Sequence, residues 1–237
     1  MARYGSQEYP FTETMEPKPV DPYAISKVAS EEVLKNLCNL NNIEWVIAVP
    51  HNIIGPKQRY NDPFRNVASI MINLILQNRQ PLIYGDGNQK RCFSDIDDCI
   101  YCLDKLLMDP KIVGETINIG PDEEMTTINN IAKMVANETG YNGDPLYVLD
   151  RPQEVKFATC SAEKSRQLLN YKTQTKLKDA ISKTCEFIKK YEVDPPKSGP
   201  WEGKPPISNY LGSCFLKIAT HLSYKPNFVN YLSLIHI

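Results

Sequence analysis

Tyr23 and Lys27 stand four residues apart in the run Asp21-Pro22-Tyr23-Ala24-Ile25-Ser26-Lys27. On a helix that spacing puts both side chains on one face. A phenol has an ordinary pKa of about 10 and is a poor base at neutral pH. A neighbouring ammonium favours the phenolate. Lowering the pKa by ~3 units takes roughly 4 kcal/mol of differential stabilisation, more than one lysine supplies. A cationic nicotinamide ring beside the phenol is the natural second contributor. Such a pair takes a proton from a sugar or alcohol hydroxyl while the ring takes the hydride. Taken alone the pair is a weak signal, because Tyr and Lys at this spacing are common on solvated helix faces.

Other chemistry-bearing groups read more plainly as structure. Cys99-Ile100-Tyr101-Cys102 has the spacing of a redox pair or half a zinc site. A zinc site needs two more ligands, the chain has only His51, His221 and His236 as histidines, and the pair lies in a helical pattern where Cys packs as a small apolar residue. Asp95, Asp97 and Asp98 are expected to cap the helix that follows. Glu31 and Glu32 are expected to face solvent. None of the 11 glycines forms G-x-G-x-x-G or G-x-x-G-x-x-G, so Gly85-Asp86-Gly87 and Gly140-Tyr141-Asn142-Gly143 read as turns.

The elements that must position these residues alternate between helical and strand-like patterns, which favours α/β. A helix is expected over 23–40, with Asp21 as cap, Pro22 in the first position and Val28, Val33, Leu34, Leu37 and Cys38 on one side. The apolar run 45–49, stopped by Pro50, suits a strand buried on both faces of a parallel sheet. Further helices are expected at 66–77, 94–108, 126–138 (closed by Gly140), 161–169 and 176–191, with strands at 82–84, 115–119 and 146–149. Residues 195–206 hold five of the 18 prolines and read as a linker or extended arm. The stretch 208–218 is mildly amphipathic, and 232–237 match no expected element.

The 237 residues carry 27 Lys+Arg against 28 Asp+Glu, with no basic block. That argues against nucleic acid or an anionic membrane as the main partner. The longest mostly apolar run, 67–76, is too short to span a bilayer. Residues 1–7 lack the apolar core of an export signal. Seven scattered cysteines fit a reducing compartment, and a cytoplasmic location is expected.

Four segments stand in order and approximate spacing: Tyr4-Gly5, Pro19 to Lys27, Pro50-His51-Asn52-Ile53-Ile54-Gly55-Pro56, and Tyr84 to Asp98. Together, over residues 4–171, they resemble the extended short-chain dehydrogenase/reductases, in the NAD-dependent nucleotide-sugar epimerase/dehydratase branch. The resemblance implies the C-terminal part of a Rossmann-type parallel sheet domain with a smaller α/β substrate-binding domain. Residues 1–56 would be the Rossmann remnant with the Tyr/Lys helix, 57–193 mainly the substrate-binding part, and 194–237 a poorly ordered Pro-rich tail.

The roles follow the same resemblance. Tyr23 would be the acid/base, and Lys27 would hold the nicotinamide ribose and tune Tyr23. Pro50 and His51 would pack the nicotinamide; an aromatic is common at position 51. Asn52 and Asn66 would bind substrate, Asn66 at a helix N-terminus suited to phosphate. Arg91 of the G-D-G-x-x-x-R stretch and Arg151 of Arg151-Pro152-Gln153-Glu154-Val155 would clamp the pyrophosphate; Gln153 replaces the usual glycine. The implied reaction is 4-epimerisation of a nucleotide-sugar, most simply a UDP-sugar. The C4 hydroxyl loses its proton to Tyr23 and its hydride to NAD⁺, the 4-keto sugar turns, and the hydride returns to the other face. A 4,6-dehydratase, a decarboxylase and an inactive sugar-nucleotide-binding fragment stand as alternatives. The glycine-rich cofactor turn and the family's Ser/Thr partner of the tyrosine are not in the sequence, so impaired activity is expected. The family pairs as homodimers through long helices; those starting near Tyr23, Asn66 or Ser94 are the candidates. A sheet edge left open would make the chain poorly soluble.

Overall fold

The computed structural model describes residues 2–61, 66–122, 124–151, 154–191 and 231–235. The Pro-rich stretch 195–206, the stretch 208–218, Pro152 and Gln153 lie outside the described residues. In chain order the elements are α1 (Pro22–Leu40), β1 (Glu44–Pro50), β2 (Ile53–Ile54), α2 (Val67–Leu76), β3 (Leu82–Tyr84), β4 (Lys90–Arg91), β5 (Ser94–Asp95) and α3 (Ile96–Met108). They continue with β6 (Thr116–Ile119), β7 (Thr126–Thr127), α4 (Ile128–Thr139), β8 (Leu146–Val148), β9 (Phe157–Ala158), α5 (Glu163–Leu169), α6 (Leu177–Lys190) and β10 (Tyr231–Ile235).

Local chemistry explains the long elements. Asp21 is extended and its carboxylate accepts the Ala24 amide at 2.8 Å, with Pro22 in the first helical position. Thr127 caps α4 by accepting the Asn130 amide, and Gly140 ends it in the left-handed region at φ 74°. Asp95 caps α3 through the Asp97 amide, while Asp98 accepts the amides of Gln174 and Thr175. The helix expected from 94 begins at Ile96 because Ser94 and Asp95 pair with β2 instead.

Only residues 41–43 separate α1 from β1, so the helix runs back over the strand. Leu34 and Cys38 pack on Ile47 and Val49. The strand's alternation sends Val46 and Ala48 to the other face, where Ile117 and Ile119 of the parallel β6 join Cys99, Cys102 and Leu106 of α3 and Leu169 of α5. The result is a three-layer arrangement, which is why 46–49 is continuously apolar. A second core joins α2, α4 and α6 through Met71, Ile72, Ile131, Val135, Ile181 and Ile188, around Ile54 and Ile83.

The class is α/β, but the described strands form four small sheets: β10-β1-β6, β2-β5, β3-β8 and β7-β4-β9. All pairings are parallel except β4 with β7. At the outer edge of β1, β10 pairs in parallel, with Glu44 opposite Tyr231. This corrects one expectation, that the last segment joins no element, for residues 232–235. A strand with buried faces has backbone donors and acceptors along its edge that need partners, and β10 supplies them.

Two expectations for α1 also change. Val33 and Leu37 are half-exposed, and the buried residues are Ala24, Glu31, Leu34 and Cys38. Glu31 is 1% exposed because Arg3, in the short 3₁₀ turn Ala2–Tyr4, meets it with Nη1 2.8 Å from Oε2. A buried carboxylate is tolerable with such a partner. Glu32 stays outside, beside Lys35.

Candidate functional site

Because α1 and β1 are antiparallel, the first turn of α1 lies at the C-terminal end of β1. That is the end at which open α/β sheets bind ligands. Tyr23 and Lys27 continue the stripe of Glu31, Leu34 and Cys38 that faces the sheet, at helical spacing. Both are half-buried, and the Lys27 ammonium lies 5.5 Å from the Tyr23 ring centroid. The pair therefore shares a face as the spacing predicts, with the cation against the ring. Ser26 Oγ donates to the Tyr23 carbonyl at 2.8 Å and Ser30 Oγ to the Ser26 carbonyl at 2.7 Å, adding side-chain bonds to this turn.

At the strand end, Pro50 is buried and His51 wholly so. The His51 amide donates to the Ile119 carbonyl at 2.8 Å, prolonging the β1–β6 ladder by one bond. Burial pushes the imidazole pKa down to about 3 and keeps the ring neutral. Asn52 Nδ2 donates to the Cys92 carbonyl at 2.8 Å, tying the β1–β2 link to the segment between β4 and β5. Asn66 caps α2: its Oδ1 accepts the Ala68 amide and its Nδ2 donates to the Ile53 carbonyl. Pro50, His51, Asn52 and Asn66 are thus joined through one strand exit.

The two arginines sit on the other body. Arg91 is held between β4 and the 154–156 segment. Its Nη1 donates to the carbonyls of Lys90 (2.8 Å) and Lys156 (3.0 Å), and its Nη2 to the Val155 carbonyl, with Glu154 Oε1 at 3.5 Å. Burial draws Arg91 below the usual guanidinium range; Glu154 opposes this and Arg151 reinforces it. Arg151 is exposed, with its guanidinium 4.0 Å from the Tyr84 ring centroid. Tyr84 and Glu154 are neighbours of the two arginines that the sequence alone does not single out. Both stood inside quoted motifs, Tyr84 one residue before Gly85-Asp86-Gly87 and Glu154 three after Arg151.

Tyr23, Lys27 and Pro50 at the C-terminal end of a parallel strand fit the nicotinamide-ribose end of a dinucleotide. The glycines lie elsewhere: Gly85 and Gly87 are turn residues with φ of 68° and 72°, and no glycine-rich pyrophosphate turn exists in the sequence. Cys99 and Cys102 pack in the β1–β6 core, where burial pushes both thiols up to about 12. Among the described residues no group of three or more His, Cys, Asp or Glu is placed to hold a metal ion, and no helix is long and apolar enough to cross a membrane.

The family profile described as GDP-mannose 4,6 dehydratase matches residues 2–184. The UDP-glucose 4-epimerase of Mycolicibacterium smegmatis is 29% identical over 189 residues, covering 78% of this chain and 59% of that protein. The dTDP-glucose 4,6-dehydratase 1 of Escherichia coli is 28% identical over 208 residues, covering 84% and 56%. A solved structure, the UDP-glucuronic acid 4-epimerase of Bacillus cereus with UDP-glucuronic acid and NAD, aligns at TM-score 0.75 and 29% identity, covering 81% of this chain and 60% of that one. The chain spans 56–60% of the length of such curated relatives.

Proposed function

Because the chain belongs to the NAD-dependent epimerase/dehydratase family of extended short-chain dehydrogenase/reductases, we propose that it carries the acid/base pair and sugar-nucleotide side of a UDP-sugar 4-epimerase. The observation that supports this best is the Tyr23–Lys27 pair at the end of β1 that also carries Pro50, His51 and Asn52.

In this reading Tyr23 accepts the proton of the sugar C4 hydroxyl and returns it after the 4-keto sugar has turned. Lys27 favours the phenolate and binds the ribose of the cofactor. NAD, when bound, supplies the acceptor and donor of the C4 hydride. Pro50 and His51 support the nicotinamide side, and Asn52 contacts the sugar. The N-terminus of α2, where Asn66 is the cap, attracts phosphate. Arg91 and Arg151 neutralise the pyrophosphate, whose two charged oxygens suit planar guanidiniums. For that, Arg91 exchanges carbonyl partners for phosphate oxygens.

Residues 1–56 then belong to the cofactor side and 57–193 mainly to the substrate side, with α3 and β6 returning to the β1 layer. The six described cysteines are thiols and not disulfides, which fits a reducing compartment such as the cytoplasm. The exposed apolar stripe of α1 supports a homodimer; α2, whose residues 71–75 are buried in the second core, does not.

Isothermal titration with UDP-glucose and, separately, NAD⁺ tests the reading. UDP-glucose binding with little NAD⁺ binding fits a chain with impaired activity. Binding of both overturns the reading of an inactive sugar-nucleotide-binding fragment. Binding of neither removes the proposal. Production of a 4-keto-6-deoxy sugar would assign the dehydratase reaction instead.

A further inference from the structure

The exits of β1 and β6 and the start of β5 meet at a polar niche in which the reaction scheme gives a role to His51 alone. His51 follows β1, Ser94 opens β5 and Gly120 follows β6. His51 is 0% and Ser94 2% exposed, yet among the described residues Nδ1 and Nε2 of the imidazole and Oγ of Ser94 have no hydrogen-bond partner. A buried polar atom left unsatisfied costs about 1–3 kcal/mol, so three together need an account.

The atoms are neighbours. A Cβ at Gly120 (φ 138°) would stand 2.4 Å from Ser94 Oγ and 2.9 Å from His51 Nδ1. Both side chains thus press against the same side of the glycine, close enough for one water to touch both. The Pro121 carbonyl faces the imidazole without meeting hydrogen-bond geometry. Two polar side chains that face one point, with a carbonyl beside the ring, supply partners for a buried water, which typically forms about three hydrogen bonds.

We propose that His51 and Ser94 hold one buried water between them and act as a positioning pair for the strand exit that carries Pro50 and Asn52. Two bonds already join these segments at Asn52, from its Nδ2 to the Cys92 carbonyl at 2.8 Å and from the Ser94 amide to its carbonyl at 3.3 Å, and the β2–β5 pairing continues them. The water adds a side-chain tie at the preceding residue, so His51 as well as Asn52 is fixed against β5. A bulkier residue at 120 would displace either side chain. The niche itself is independent of the epimerase reading; only its consequence for ligand binding rests on that reading.

Three measurements on the whole chain decide it. A crystal structure at a resolution that places waters shows density within hydrogen-bond distance of both the His51 ring and Ser94 Oγ; no water there overturns the proposal. In long-range ¹H–¹⁵N spectra, Ser94→Ala moves the His51 nitrogen resonances. Unmoved His51 signals overturn the pair. In calorimetric titration with UDP-glucose, Ser94→Ala and His51→Phe each weaken binding on the order of 10-fold, equivalent to about 1.4 kcal/mol, and His51→Gln recovers most of it. Equal loss in the Phe and Gln variants overturns the positioning role. If the unaltered chain takes up no UDP-glucose, the functional reading fails, and the density and resonances judge the niche by themselves.

Discussion

Burial keeps the His51 imidazole neutral and pushes its pKa down to about 3 from an ordinary 6.5. The unfolded chain binds that proton more readily than the folded one. The stability it contributes is therefore complete above about pH 6.5 and is lost as pH falls toward 3, by ~1.4 kcal/mol per unit. Asp122 is the carboxylate acting on the ring. Its own burial would raise its pKa, but hydrogen bonds from Arg166 and the Ala162 amide hold it below the usual carboxylate range. Urea unfolding at pH 7 and pH 5 is expected to show about 2 kcal/mol more loss for the native chain than for His51→Phe; equal losses would assign the titration elsewhere. Arg3 and Glu31 make the opposite case, a charged pair in the dark. Glu31→Ala strands the guanidinium and is expected to cost about 3–5 kcal/mol, whereas Arg3→Met with Glu31→Leu comes out near neutral. Denaturant midpoints of the three chains separate a stranded charge from a lost attraction. Nothing near Glu31 in the sequence announces this pair, since its partner stands 28 residues earlier; the sequence reading put Glu31 in water for that reason.

At the scale of elements, legibility followed length and local chemistry. The six helices and the strands β1, β3, β6 and β8 were readable from caps, stops and apolar runs, with ends within a few residues. The two-residue strands β2, β4, β5, β7 and β9 were not, because two residues carry no period and their pairing partners are up to 67 residues away. β10 lies beyond a proline-rich stretch and pairs with a strand more than 180 residues earlier, a contact no local pattern encodes. The site divides in the same way. Tyr23 and Lys27 were legible because a helix turns spacing into proximity. That Arg91 is engaged by carbonyls of residues 155 and 156 was not, because a distant segment supplies them. The Asp21 cap links both scales, since it holds the turn that presents Tyr23. Asp21→Ala is expected to cost about 1 kcal/mol and to weaken UDP-glucose binding. Asp21→Asn, which can still accept the Ala24 amide, should leave both near native values in thermal melts and titration.

For the whole molecule the open question is what covers the outer face of α1. Ile25, Val33, Leu37 and Leu40 are 54%, 50%, 45% and 73% exposed. At 100° per residue they fall within one third of the helix circumference, opposite the stripe that meets the sheet. Four apolar residues on one side of a 19-residue helix make a self-complementary strip, the kind a two-fold axis pairs with itself. The sequence reading placed Val33 and Leu37 on the same side of the helix as Leu34 and Cys38. The structure turns them outward, so the same residues argue for a partner. Val33→Lys with Leu37→Lys is expected to leave the thermal midpoint nearly unchanged, since substitutions at such exposed positions usually cost within about 0.5 kcal/mol each. The same pair should convert a dimer to a monomer in sedimentation equilibrium, because two lysines per chain would face two more across the axis. A monomer for the unaltered chain across the same concentrations would leave the strip without a role in self-association.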